Sequence, residues 1–364
     1  MSHNKLVSVA DLKIIEFGIT SLCNAGCPLC NRHVSGTNTV IPGLKLTSMS
    51  YEKFEKITND LGKHASHITA GFWGVVGDNA AHPEIEKILN LSASCYKNTQ
   101  LETNGGIRSP DFWSRLGKLS SLSITFSIDG LKDTNAIYRI NTDFDRIIAN
   151  ASAYIKAGGR AEWKYIVFKH NEHQVEQAEQ LAKDLGFEKF RVHHSKRFHK
   201  QSHPVSRKSY NANINKIPDH VKNDGIELLP STLVETEYEK HLTLNQAEDI
   251  SGQTIDCKTI RRGQIYIDEN NKLWPCCYFN TPSYYSQKFF AYWNDIEKKY
   301  GKDFNSLDNQ SIVDLLEHDY FSNYLPSSWT DSNLKYCYQC PSKCGNSQYN
   351  QNIEEHKKYN VISN

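Results

Sequence analysis

The chain has 364 residues, 42 Lys+Arg against 41 Asp+Glu, a formal charge of +1 and ten cysteines. So even a balance excludes long-range attraction of the whole molecule to nucleic acid or an anionic membrane, and no segment approaches a membrane-spanning length. The run MSHNKLVSVADLKIIEFG lacks the pattern of a secretory leader, so the expectation is a cytoplasmic protein whose thiols serve metal ligation rather than disulfides.

In chain order, short apolar runs alternate with helical patterns from Leu12 to His194, the mark of repeated βα units and a parallel sheet. Six strands are expected: LKIIEFGIT (12–20), HITAGFWG (67–74), TQLET (99–103), LSITFSI (122–128), EWKYIVF (162–168) and KFRVHH (189–194). Between them, Ser50 suits the N-cap of a helix carrying Phe54, Ile57 and Leu61 on one face. Pro83 suits the first turn of a second helix, with Ile85, Ile88 and Leu89. Ser109-Pro110 opens a third, and Phe144, Ile147, Ile148, Ala151 and Ile155 form the stripe of a fourth that stops at Gly158-Gly159. Val175, Leu181 and Leu185 precede Gly186 in a fifth. Cys95 reads as a small buried hydrophobe on or near a helix.

The alternation fades after His194, which favours an open barrel of six units over a closed one of eight. The expected fold class is α/β: a partial (β/α)6 TIM-like barrel over residues 1–198, a linker over 199–250, and a small cysteine-rich domain over 251–364. The linker opens with the basic run SKRFHKQSHPVSRK and is punctuated by Pro204, Pro218 and Pro230. With Phe198 as its single aromatic, that run lacks a base-stacking platform, so nucleic acid is not an expected partner. In the last domain GQIYI, DENN and KLWP read as a hairpin that brings Cys257 towards Cys276 and Cys277.

Nine cysteines fall into two neighbourhoods. Cys23, Cys27 and Cys30, spaced Cys-x3-Cys-x2-Cys, sit on the loop leaving the first strand, where parallel α/β barrels keep their active sites. Three thiolates can hold three irons of a 4Fe-4S cluster and leave the fourth open to an external ligand; a zinc site is the alternative for such close cysteines. Polar groups follow at the same rim: Gly77-Asp78 after the second strand, Thr103-Asn104 after the third, Ser127 and Asp129 after the fourth, then Arg139.

With these motifs the chain resembles the radical S-adenosylmethionine (SAM) enzymes. The resemblance implies that Cys23, Cys27 and Cys30 hold a 4Fe-4S cluster whose open iron is chelated by the methionine end of SAM. One electron then splits the sulfonium, and a 5'-deoxyadenosyl radical abstracts a substrate hydrogen. It also implies that Gly77 and Asp78 receive the SAM amino group, that Asn104, Ser127 and Asp129 serve the ribose and methionine, and that Arg139 pairs with the carboxylate. Here Val76 replaces the first glycine of the family's Gly-Gly-Glu motif, Asp78 replaces its acid, and Leu29 stands where an aromatic often precedes the third cysteine.

The late cysteines look like the auxiliary-cluster extensions called SPASM and twitch domains. Six cysteines favour one auxiliary 4Fe-4S cluster on Cys257, Cys276, Cys337 and Cys340, with Cys277 or Cys344 able to replace one of them. Structural zinc is the other reading of these residues. The expected partners are a reductant such as flavodoxin or ferredoxin, and a substrate that is a peptide or a small molecule. Peptide side-chain modification leads, with a nucleotide or small metabolite as the runner-up. A non-catalytic iron-sulfur or zinc scaffold is the reading from another class.

Overall fold

The computed structural model describes residues 5–34, 38–195, 228, 231, 254–280 and 287–345. Most of the expected linker and of the basic run after Ser195 lies outside them.

All six expected strands form: β1 (Ile14–Phe17), β2 (Thr69–Trp73), β3 (Asn98–Thr103), β4 (Leu122–Ser127), β5 (Arg160–Val167) and β6 (Lys189–His194). They pair in parallel and in chain order, joined by α1 (Tyr51–Leu61), α2 (Ile85–Cys95), α3 (Pro110–Leu116), the short α4 (Asn135–Tyr138), α5 (Phe144–Lys156) and α6 (Val175–Leu185). The helix starts follow the capping chemistry of the sequence. The side chains of Ser50, Ser109 and Asp143 accept from the backbone N–H groups of Lys53, Phe112 and Arg146. Gly186 ends α6 in the left-handed conformation, φ 86°. At α2 the start differs from expectation: the helix begins at Ile85, after a turn in which the Glu84 N–H donates to His82 Nδ1 at 3.0 Å, so Pro83 lies just before the first turn.

Period-2 alternation divides the strand residues between two environments. Ile15 and Phe17 of β1 face the helices, Phe17 meeting Phe54 of α1 at 5.1 Å and Phe72 of β2 at 5.4 Å. Trp163 of β5 packs outward on Phe187 and Phe190. The alternate set, Glu16, Glu102, Ser127, Glu162 and Lys164, points into the lumen of the open barrel.

The expected hairpin is present as β7 (Gln264–Ile267) and β8 (Leu273–Trp274). It does more than present cysteines, because β7 pairs in parallel with β1, matching Ile14 to Gln264 and Glu16 to Tyr266. The sheet order is therefore β6-β5-β4-β3-β2-β1-β7-β8, an open sheet with β6 and β8 at its edges. Gly263, left-handed at φ 57°, lets the chain turn from the helix Lys258–Arg262 into β7. The remaining residues add the helices Gln287–Tyr300, Ile312–Glu317 and Gln339–Cys344 around an aromatic centre where Trp274 and Trp293 approach to 4.7 Å. This centre is continuous with the barrel core: Phe17, Ile124, Ile265, Trp274, Leu315 and Cys337 belong to one packed cluster.

Candidate active site

Beyond β1 the chain forms the loop that carries Cys23, Cys27 and Cys30, and the turn after β2 supports it from below. The Asp78 N–H donates to the Leu22 carbonyl at 2.8 Å, and a Cβ on Gly77 would collide with the Thr20 carbonyl, so only glycine lets these two backbones approach. Farther along, the Cys30 N–H donates to the Cys27 carbonyl at 3.0 Å, the Gly26 N–H to Ile140 at 2.9 Å, and Arg32 Nη1 to the Cys23 carbonyl at 3.3 Å.

The three thiols share one recess. Cys27 is buried and Cys23 and Cys30 are half-buried. Their wall is apolar: Ala25, Leu29, Tyr138, Ile140, Phe168 and Leu228, with the Tyr138 and Phe168 rings 4.6 Å apart. Burial pushes the Cys23 thiol up to about 12, and the neighbouring Asp78, Cys27 and Cys30 add to it. Burial likewise pushes Cys27 up to about 11, against the pull of the Arg139 guanidinium. Donors aim at the sulfurs, with Asn104 Nδ2 3.8 Å from Cys23 Sγ and Arg139 Nη1 3.9 Å from Cys27 Sγ. Three soft ligands in an apolar pocket, with N–H groups turned to their sulfurs, fit an iron-sulfur cluster. Among the described residues no three Cys, His, Asp or Glu side chains converge as they would around a single ion.

The polar residues expected at the rim come together, mainly on one another. Asp78 is buried, and one carboxylate oxygen accepts from Thr103 Oγ1 at 3.0 Å, Asn104 N at 2.8 Å and Asn104 Nδ2 at 2.6 Å. The other accepts from the Ala80 N–H at 3.0 Å, so Asp78 is also the turn-capping acid before α2. Burial raises its pKa against these donors. Asn104 also donates to Asn24 Oδ1 at 2.9 Å, tying the third strand to the cysteine loop. Asp129 is fully buried; it accepts from Arg139 Nε at 2.6 Å and from the Ile166 N–H at 2.6 Å. The guanidinium resists its own burial because the Asp129 charge and the Cys27 thiol hold its pKa well above the ordinary value.

Ser127 leads to a group that sequence reasoning missed. Its hydroxyl donates to Glu102 Oε1 at 3.1 Å, and the Lys164 ammonium pairs with the same oxygen. Burial alone would raise Glu102, but Lys164 and Ser127 carry it down to about 2. Glu162 pairs with Arg191 and Lys189 on the same lumen face. The signal was the alternation within TQLET and EWKYIVF, which sends every charged residue inward.

Among the late cysteines, Cys276 neighbours Cys340, Cys257 and Cys344, and Cys340 hydrogen-bonds Cys337. Cys277 turns away from them towards Glu16 of β1.

The family model described as the Radical SAM superfamily matches residues 18–185, from the end of β1 through α6. The curated AdoMet-dependent heme synthase of Methanosarcina barkeri (strain Fusaro / DSM 804) is 23% identical over 176 residues, 48% of this chain and 48% of that protein. The chain thus spans about half the length of that curated relative. Among solved structures, native anSMEcpe with bound AdoMet and Kp18Cys peptide superposes with a TM-score of 0.52 at 16% identity, covering 96% of both chains. Streptococcus suis SuiB bound to precursor peptide SuiA superposes with a TM-score of 0.51 at 14% identity, covering 100% of this chain and 76% of that one. At these identities the superpositions carry the fold.

Proposed function

We propose that the chain, whose residues 18–185 match the Radical SAM superfamily model, is an enzyme that reductively cleaves SAM at a 4Fe-4S cluster on Cys23, Cys27 and Cys30. When bound, the cluster and SAM supply a 5'-deoxyadenosyl radical. The chain's own residues hold and orient. Gly77 seats the cysteine loop, Asp78 fixes Asn104 beside Cys23, and Asp129 fixes Arg139 with Nη1 on Cys27, leaving Nη2 for a carboxylate. The apolar wall from Leu29 to Phe168 keeps water from the radical. The observation that carries this reading is the shared recess of three thiols with amide and guanidinium donors aimed at its sulfurs.

The substrate is a peptide in this reading. Its support is the likeness of fold to anSMEcpe over 96% of both chains and to SuiB over 76% of that chain, whose structures were solved with peptides. A lumen bearing the Glu102–Lys164 and Glu162–Arg191 pairs suits a polar chain that needs both donors and acceptors. The heme synthase likeness favours a small-molecule substrate, but it spans about half of each chain. Cys257, Cys276, Cys337 and Cys340, with Cys344 adjacent, would hold one auxiliary cluster, and an external flavodoxin or ferredoxin would supply electrons.

Anaerobic reconstitution tests the proposal. Two 4Fe-4S clusters require iron and sulfide near eight each per chain, by four irons per cluster. Dithionite and SAM should then yield 5'-deoxyadenosine, and Cys27→Ala should abolish it while about four irons remain. A colourless, iron-poor protein, or undiminished cleavage by Cys27→Ala, overturns the assignment.

A further inference from the structure

Arg32 stands just beyond the third cysteine of the early trio, and among the described residues it is the one lysine or arginine that is buried, with 4% of its surface exposed. The backbone around it is pinned. The His33 N–H donates to the Cys30 carbonyl at 3.0 Å, the Ile41 N–H donates to the Arg32 carbonyl at 2.9 Å, and His33 Nδ1 lies 2.9 Å from the Cys27 carbonyl. The guanidinium itself is poorly provided for. Nη1 donates to the Cys23 carbonyl at 3.3 Å, Nε is enclosed with no hydrogen-bond partner, and among the described residues no carboxylate pairs with it. Arg139 makes the contrast, since Asp129 meets it at 2.6 Å.

A guanidinium keeps its proton at any working pH, so this burial is not relieved by neutralisation. Enclosing a fixed charge is costly unless an opposite charge meets it. One hydrogen bond to a carbonyl is something a neutral amide side chain makes without that cost, so hydrogen bonding alone does not account for an arginine here. Its enclosure also keeps it from a docking protein. The Arg139–Asp129 pair is neutral as a whole, which leaves Arg32 as the uncompensated positive charge of the cysteine loop. Three thiolates outweigh the positive charge of a 4Fe-4S core, so the group that Cys23, Cys27 and Cys30 would hold is an anion, and one electron makes it more negative. We propose that Arg32 is the fixed counter-charge of this early cluster and makes its reduction easier. The proposal rests on the radical SAM reading and adds which residue sets the driving force of its first step. In that step a donor protein of the flavin or iron-sulfur class loses one electron and the cluster gains it; no bond forms and no proton moves, so the added charge is met by Arg32.

The test is a redox titration of the reconstituted full-length holoprotein, followed by electron paramagnetic resonance, with dithionite as reductant and no SAM. Cys27→Ala, which keeps only the late cluster, identifies the early signal by difference. Arg32→Met removes the charge at similar length. It should lower the equilibrium constant for reducing the early cluster about tenfold, a shift of about 59 mV to more negative potential for one electron. Arg32→Lys keeps the charge and should stay within about twofold of wild type, by the same conversion. The potential of the late cluster should not move in either variant. If Arg32→Met loads only about four irons while Arg32→Lys loads about eight, the charge is what the early site needs and the proposal stands. An unchanged early potential in Arg32→Met, an equal shift in Arg32→Lys, or loss of the early irons in both variants overturns it. Wild-type protein with no early cluster instead fails the underlying reading, and the inference with it.

Discussion

Asp129 is a carboxylate with no exposed surface, and Arg139 is its charged partner. Removing one member of such a pair leaves an uncompensated buried charge, which costs about 3–5 kcal/mol. Arg139→Met should therefore lose that much stability in urea titrations. Asp129→Asn combined with Arg139→Met should recover most of it, because an amide needs no counter-charge. If Arg139 also meets the SAM carboxylate, the double variant will regain stability without regaining SAM affinity, measured anaerobically by equilibrium dialysis. Recovery of both would confine Arg139 to a structural role. The two residues were legible in the sequence as neighbours of a strand end. Their mutual bond was not, since Asp-Gly and an arginine ten residues on are common in turns. Glu102 was less legible still: Lys164 lies 62 residues away, and only the assembled sheet brings them across β4.

At the scale of elements, the cysteine loop and the turn after β2 act as one piece, and glycine is what joins them. Gly77→Ala drives a Cβ into the Thr20 carbonyl and to 2.9 Å from the Leu22 carbonyl, and backbone cannot swing aside. The early cluster should be lost, with iron falling to about four per chain and 5'-deoxyadenosine with it. Gly18→Ala meets only the end of the Tyr266 side chain, so it should keep both clusters; iron analysis of the two variants side by side checks the contrast. The strands and helices themselves were readable because their causes are local: alternation, capping serines and Gly186. The closeness of the cysteine trio was readable for the same reason, three thiols within eight residues. The pairing of β7 with β1 has no local signal, because GQIYI carries nothing that names its neighbour. Nor could adjacent Cys276 and Cys277 be told apart until the turn that separates their directions was in place.

Over the whole molecule, buried titratable groups pull stability in opposite directions with pH. His170 stacks on Phe168 at 5.4 Å with both ring nitrogens lacking partners among the described residues, and burial pushes its pKa down to about 4. The unfolded chain then binds the extra proton first, so stability falls as pH drops from 6.5 towards 4. In the β7–β8 turn burial raises Asp268 to about 6 and Glu269 to about 7; there the folded state holds the protons, and stability falls as pH rises from about 4.5 to 7. Thermal melts of the holoprotein between pH 5 and 7 should show His170→Phe reducing the acid-side loss and Glu269→Gln reducing the neutral-side loss. Parallel curves for variants and wild type would contradict these assignments. The shared core has a further consequence, in the order of synthesis. Ile14 waits for Gln264, 250 positions later, before its strand is bordered on both sides. At ribosomal rates of about 5–20 residues per second, that border stays open for roughly 12–50 s. The nascent chain thus displays an unpaired sheet edge beside the cysteine loop until its last third emerges.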